Sequence, residues 1–494
     1  MVQSDEPGSM TGPLTSVDTH GPQHRHPTYY LHSRDGIIYR IVFCPSLLEN
    51  DIPVGTTVTI TYDKIVDGVV YSCSLPKEPA EQRQRRRVLL GDSLTTPNEP
   101  RILVFLVSFC GFDQPPAVSS KDVTNLLVEG NGTYMNRSLA GYYNTCTYGR
   151  VTLNPANVKV LGPVEVPCKG GLKAGHPFST GPNFTSSACD ELDNMPKWHY
   201  WLDEWAKNKT GVSAGDYHHR VIILPRNFSA QIKGCNGFSG AATPGRWPLY
   251  TSSTNQWGTS FIWWAGENFG DLEILFHEIG HTYGMAHATV PGNCDLFDQC
   301  DHTCTMGATG GQGIRCFNAP HNWQVGWGRP LRQFDDNGLK YGNATSVQIP
   351  SQLTAVNSSV MITGNGLPNG QRLFIAARIN IYPYELPWAP WDDNKAFLVM
   401  HTYNGTDACP GIQTVWVGEI QEPVIQVQPP TAHTQSPAAR PQPTADEVQP
   451  PASQVQPAAG QASYPPTAAQ AVCTASFPSP RAATFLTTAK SQAS

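Results

Sequence analysis

The chain has 494 residues, 39% of them hydrophobic, with a formal net charge of -6. That length admits one large domain with appendages, or two domains. The mild acidity offers no footprint for nucleic acid or an anionic membrane surface, and apolar runs such as Ile102-Leu103-Val104-Phe105-Leu106-Val107 are too short to cross a bilayer.

Residues 1–30 are polar and rich in Pro, Gly and His, a composition for which disorder is expected. Met1–Pro7 contains no apolar h-region, so no signal peptide is visible. From Tyr29 to Ser74 the pattern alternates, as in Gly36–Phe43 and Thr57–Tyr62, and predicts a small β-rich unit. The basic run Arg83-Gln84-Arg85-Arg86-Arg87 follows and reads as a processing site, which makes residues 1–87 a pro-region. Cys73 is a candidate thiolate for a latent metal site; a Cys44–Cys73 disulfide is the preferred reading, because the local sequence is no recognisable switch motif.

Residues 88–421 read as the enzyme domain. A strand begins after Arg101, and Trp198, Trp201, Leu202 and Trp205 share one face of a helix, where they belong to a core. Arg220–Pro225 is another strand, and the tandem His218 and His219 before it are taken as structural. Then comes His277-Glu278-Ile279-Gly280-His281-Thr282-Tyr283-Gly284-Met285-Ala286-His287, the pattern H-E-x-x-H-x-x-G-x-x-H. Asp271 suits a helix N-terminus, and Leu272, Leu275, Phe276 and Ile279 recur at helical spacing. On that helix His277 and His281 project from one face, four residues apart, and can share a zinc ion. Glu278 points about 100° away, in the position of a general base for a water. Gly284 can end the helix in the left-handed conformation, so that the chain turns back and delivers His287 as the third ligand. Three protein ligands leave a coordination position open, which marks a catalytic zinc site.

The motif resembles the metzincin clan of zinc endopeptidases. That resemblance implies a methionine turn beneath the metal, assigned to Met306 within Cys304-Thr305-Met306-Gly307. It also implies a cleft-lining edge strand that pairs with substrate, for which Ser260–Ala265 is a candidate. Phe317–Trp327 is similar to the segment after that turn in the gametolysin family, the autolysins of green algae. The fold then expected is α+β: a metzincin-like zinc peptidase domain with a twisted mixed sheet and an active-site helix, flanked by the β-rich pro-region and a β-rich C-terminal subdomain. The function expected is a secreted zinc metalloendopeptidase that cleaves Pro- and Hyp-rich glycoproteins of an extracellular matrix or cell wall. Two alternatives stand beside it: a non-catalytic matrix glycoprotein that keeps the fold, and a metzincin of another family with a different protein substrate.

Eight N-x-[S/T] sequons, at Asn131, Asn136, Asn183, Asn208, Asn227, Asn343, Asn357 and Asn404, favour a glycosylated secretory protein. So do thirteen cysteines, ten of them between Cys110 and Cys409, enough for five disulfides. Either a start truncated upstream of Met1, the preferred expectation, or export by another route would reconcile these with the missing h-region. Cys294, Cys300, Cys304 and Cys316 bracket the Met306 turn and are expected to staple its loops; a second metal site with His302 is the sharper alternative. Asp295, Asp298 and Asp301 lack calcium-loop spacing and are expected to hydrogen-bond within their loop. Strand patterns at 360–363, 372–378 and 396–400 predict the C-terminal β-rich subdomain. Residues 422–494 turn low-complexity, rich in Pro, Gln and Ala, and are expected to be extended or disordered.

Overall fold

The computed structural model describes residues 7–20, 27–47, 52–77, 96–130, 137–247, 252–291, 299–307, 314–339, 345–367, 371–387, 397–404, 414–421, 426–428 and 470–477. The basic run at 83–87, Cys294, Asp295, Asp298 and Cys409 lie outside them.

Strands β1 (Gly8–His20), β2 (Thr28–His32), β3 (Ile38–Phe43), β4 (Thr57–Tyr62), β5 (Lys64–Val66) and β6 (Val69–Ser72) form a β-rich N-terminal unit. Their alternating residues build a core of their own around Leu14, Leu31, Ile41, Val58, Ile60 and Val70, which corrects the expectation of disorder over residues 1–30 at the described part of that segment. β5 and β6 are joined by Asp67-Gly68, whose φ angles are 50° and 78°, the conformation of a two-residue hairpin turn. Gly68 also permits a close approach: a Cβ there would stand 2.3 Å from the carbonyl oxygen of Ser179. Cys44 and Cys73 are disulfide-bonded to each other.

The central sheet holds β7 (Ile102–Phe109), β8 (Val158–Val166), β11 (His219–Ile223), β12 (Gly240–Ala242) and β13 (Ser260–Trp264); a small separate pair, β9 (Lys169–Gly171) and β10 (Asn183–Thr185), lies between β8 and β11 in the chain. Its order is β12-β13-β11-β7-β8, with β12 alone antiparallel to its neighbour. β7 sends Ile102, Val104 and Leu106 to one core and Leu103, Phe105 and Val107 to the other. Burial on both faces explains why this strand is continuously apolar. Helices α1 (Leu139–Cys146) and α3 (Leu272–Thr282) cover the first face, and α2 (Asn194–Thr210) covers the second with Trp198 and Leu202. Trp201 and Trp205 are only partly buried at the margin of that core.

β1 joins this sheet by pairing antiparallel with β12, so N-terminal and central strands form one eleven-stranded sheet. The segment expected at a cleft edge, Ser260–Ala265, is therefore interior: β13 lies between β12 and β11. Its residues explain the correction, since Phe261 and Trp263 fill one core while Ile262 and Trp264 fill the other.

The C-terminal part is β-rich, as expected. β14 (Ala288–Thr289), β15 (Arg329–Phe334), β17 (Asn357–Ile362), β18 (Arg372–Arg378), β19 (Phe397–Tyr403) and β20 (Thr414–Gln421) form a sheet in the order β14-β20-β19-β18-β17-β15. Helix α4 (Ala319–Gln324) packs on it through Trp323, against Phe374, Val399 and Tyr403. Within the low-complexity tail, β21 (Gln426–Gln428) and β22 (Gln470–Phe477) are paired strands, and β22 also pairs with β16 (Thr345–Pro350), so at these residues the tail is extended rather than disordered.

Candidate metal centre

α3 begins where the sequence expects it. The Asp271 side chain accepts from the backbone N–H groups of Glu273 (3.0 Å) and Ile274 (3.4 Å), satisfying donors that have no partner within the helix. Leu272, Leu275, Phe276 and Ile279 anchor the helix in the core. After Thr282 the chain turns at Gly284, whose φ is 85°. The turn is closed by bonds from Gly284 N–H to the His281 carbonyl (2.7 Å) and from Met285 N–H to the Gly280 carbonyl (3.1 Å). It returns His287 toward the helix. His277, His281 and His287 thus meet, all buried, with one nitrogen from each within 4.8 Å of the others.

Two carbonyls fix the rings. His277 Nδ1 donates to Thr305 O at 2.7 Å and His281 Nδ1 donates to Met285 O at 3.0 Å. A carbonyl only accepts, so each Nδ1 carries the proton and each Nε2 presents a lone pair. Those two Nε2 atoms lie 3.1 Å apart. Lone pairs facing at that distance repel unless a cation lies between them. A tetrahedral ion about 2.0–2.1 Å from each nitrogen sets two ligands about 3.3 Å apart, close to that separation. The donor set fits a first-row divalent metal. Among the described residues this is the one group of three or more metal-ligating side chains so placed; it does not include His302.

Glu278 is buried at 1% exposure and lies against β12: a Cβ on Gly240 would stand 2.3 Å from Glu278 Oε1. Met306 is fully buried beneath α3, where a Cβ on Gly280 would stand 2.3 Å from its sulfur and 3.0 Å from the Phe317 ring. Gly280 is therefore what lets the helix settle onto Met306. His219 stays outside the cluster and bonds Ser260, Thr282 and Tyr283; burial pushes its pKa well below the usual value and keeps it neutral. His218 accepts from the Arg101 backbone N–H at 2.8 Å.

The loop carrying Thr305 and Met306 is tied down at several points that sequence reading missed. Arg315 Nε donates to Glu273 Oε1 at 2.7 Å and Arg315 Nη1 to His302 O at 2.8 Å, linking this loop to the first turn of α3. Burial pushes Glu273 up to about 7, with the Arg315 charge opposing it. The Asp301 carboxylate, expected to bond locally, accepts from Thr303 N–H and Thr303 Oγ1 (both 2.7 Å) and also reaches His401 at 3.0 Å. Burial alone would raise Asp301, but His401 and the Thr303 donors hold it well below the usual carboxylate range. Cys316 is disulfide-bonded to Cys146 of α1, and Cys300 is disulfide-bonded as well. Cys304 is not: it is a buried thiol whose sulfur accepts from Asn318 N–H at 3.2 Å, and burial pushes it up to about 12. The even count of ten cysteines therefore does not resolve into five disulfides.

Two histidines and a glutamate thus stand on one helix, joined by a third histidine beside a mixed sheet. The chain belongs to the gametolysin peptidase M11 family, whose family model matches residues 101–413. It is similar to "Autolysin" of Chlamydomonas reinhardtii, at 25% identity over 56% of this chain and 48% of that protein. The chain spans about half the length of this curated relative. β1–β6 precede the matched region.

Proposed function

We propose that the protein is a secreted zinc-dependent endopeptidase acting on Pro- and Hyp-rich glycoproteins of an extracellular matrix or cell wall. In this reading His277, His281 and His287 hold zinc, Glu278 is the general base, and Met306 is the apolar floor under the imidazoles. The convergence of three imidazole nitrogens within 4.8 Å, two of them with their tautomers fixed by carbonyls, carries the reading. Bound zinc would supply a Lewis acid that acidifies water near neutral pH and polarises a peptide carbonyl. Glu278 then accepts the proton of the attacking water and returns it to the departing amide nitrogen. Burial of Glu278 and the three rings keeps bulk water from competing for these groups.

The family and the autolysin relative support a cell-wall substrate. Secretion is supported by disulfides at Cys110–Cys168, Cys146–Cys316 and Cys189–Cys235. It is supported too by exposure of every sequon asparagine among the described residues, namely Asn183, Asn208, Asn227, Asn357 and Asn404. The proposed organisation is a pro-region at 1–87, a peptidase domain at 88–421 and a tail at 422–494.

The test is cleavage of a hydroxyproline-rich wall glycoprotein and of casein, with chelator and with zinc restored. Glu278→Gln should keep bound zinc while losing about 10²–10⁴-fold in rate. Cleavage by Glu278→Gln at the parent rate, or by the parent in excess chelator, contradicts the assignment.

A further inference from the structure

His277 and His281 are spaced by α3 itself, but His287 stands beyond the helix, so its place depends on the backbone of residues 283–288. One peptide unit governs that stretch, the link between Gly284 and Met285. Its N–H, on Met285, donates to the Gly280 carbonyl at 3.1 Å. Its oxygen, on Gly284, accepts from Gln324 Nε2 at 3.0 Å, across 40 residues of chain. Gly284 and Gln324 are both buried, so water does not stand in for that bond. The next carbonyl, that of Met285, is the acceptor that orients the His281 ring. After His287 the chain is fixed again: Ala288 N–H donates to Met306 O at 2.9 Å, and Ala288 O accepts from Asp301 N–H at 3.0 Å.

Gln324 is itself held in place. It ends α4, where the Asn318 side chain caps the N-terminus by accepting from His321 N–H at 3.0 Å. Asn318 also donates to Thr414 Oγ1 of β20 at 2.7 Å. The neighbouring Trp323 packs on the C-terminal sheet, with the Arg372 guanidinium 5.2 Å from its ring. A carbonyl only accepts, so the Gln324 amide turns its nitrogen toward Gly284. Gln324 Oε1 has no hydrogen-bond partner among the described residues, so the bond to Gly284 is what the amide contributes there.

We infer that Gln324 is a positioning residue for the metal centre. By holding the Gly284 carbonyl it fixes the peptide that presents the Met285 carbonyl to His281 and aims His287 at the other two imidazoles. This rests on the proposed role of His287 as a ligand. Helix formation sets His277 and His281 without help, whereas the third imidazole is delivered by a glycine turn. Glycine leaves its peptide freer to rotate than any other residue does, so a bond from elsewhere in the fold is what removes that freedom. Groups that orient metal ligands from outside the coordination shell carry about 10–100-fold of metal affinity.

The experiment uses the full chain, zinc-free and zinc-loaded. Gln324→Met keeps the length of the side chain without the donor, and Gln324→Glu keeps its outline while setting an acceptor against an acceptor. Four readouts are taken: hydrogen exchange at the Met285 amide, zinc affinity by competition with a chelator, the visible spectrum of the cobalt-substituted chain, and the zinc-free melting temperature. In the zinc-free parent the Met285 amide should already be protected. Both variants should exchange there at least about tenfold faster, the effect of losing one buried bond. They should bind zinc about 10–100-fold more weakly and shift the cobalt band. Variants that lower only the melting temperature, with zinc affinity and cobalt band as in the parent, overturn the inference, since Gln324 then serves packing alone. So does a zinc-free parent whose Met285 amide exchanges without protection, because the metal would then be setting the turn. Should Gln324→Met fail to fold, Gln324→Glu and the exchange of the parent still decide. A parent that binds no zinc overturns the metal reading instead, while exchange at Met285 still reports whether Gln324 holds the turn.

Discussion

Gly280 sits at a position that the H-E-x-x-H motif leaves unspecified, yet Met306 and Phe317 leave no room there for a side chain. Placing a methyl 2.3 Å from the Met306 sulfur forces the helix or the methionine to move. Gly280→Ala should destabilise the protein by about 1–3 kcal/mol, as overpacking does. Met306→Ala alone should cost about 2–5 kcal/mol through the cavity it leaves. In the double variant the alanine methyl gains room, so the two costs should sum to more than the measured loss in urea unfolding; strict additivity would place Met306 away from Gly280. The candidate ligands and Glu278 were legible in the sequence because helical spacing alone puts His277 and His281 on one face and Glu278 off it. Met306 was legible only through family resemblance. The Thr305 carbonyl, Gly240 and Arg315 were not legible, since each acts across 28 to 42 residues of chain or from a separate strand, where no local period reports it.

At the scale of elements, α3 is held by its cap, its apolar stripe and one buried ion pair. Arg315 and Glu273 are both buried, so removing one partner leaves the other uncompensated. Arg315→Met should cost about 3–5 kcal/mol, and Glu273→Leu combined with it should recover much of that loss in thermal unfolding. A double variant no more stable than Arg315→Met would show that the pair is not coupled. β13 shows where element reading fell short. Its apolar run was recognised as a strand, but a run buried on both faces does not say which strands flank it, and the neighbours that make it interior come from residues 219–223 and 240–242. β12 itself, only Gly240-Ala241-Ala242, has no strand signature in composition.

Across the whole molecule, contacts far apart in sequence fasten the candidate metal centre to the C-terminal sheet. Asp301, in the loop before Met306, pairs with His401 of β19. Its folded pKa is depressed below the ordinary 3.8, so it contributes stability that is present above that value and is lost as pH falls below it. Melting temperature measured against pH should therefore fall on the acid side of about pH 4, and Asp301→Asn should flatten that limb while lowering the melting temperature at neutral pH. An unchanged acid limb in Asp301→Asn would assign the acid sensitivity to other groups. The mixed central sheet was expected from the family resemblance, while the C-terminal strands, the unit from Tyr29 to Ser74 and helix α3 were foreseeable from periodicity. The joining of β1 to β12 was not, because an edge is closed by whichever strand reaches it. The account turns on one metal ion shared by three imidazoles, and metal analysis combined with X-ray absorption of the purified full chain measures that most directly. The result predicted is one zinc per chain with three imidazole nitrogens in its shell, falling to two with at least about tenfold weaker binding in His287→Ala. A chain that takes up no zinc, or a His287→Ala variant whose zinc shell and affinity match the parent, would contradict it.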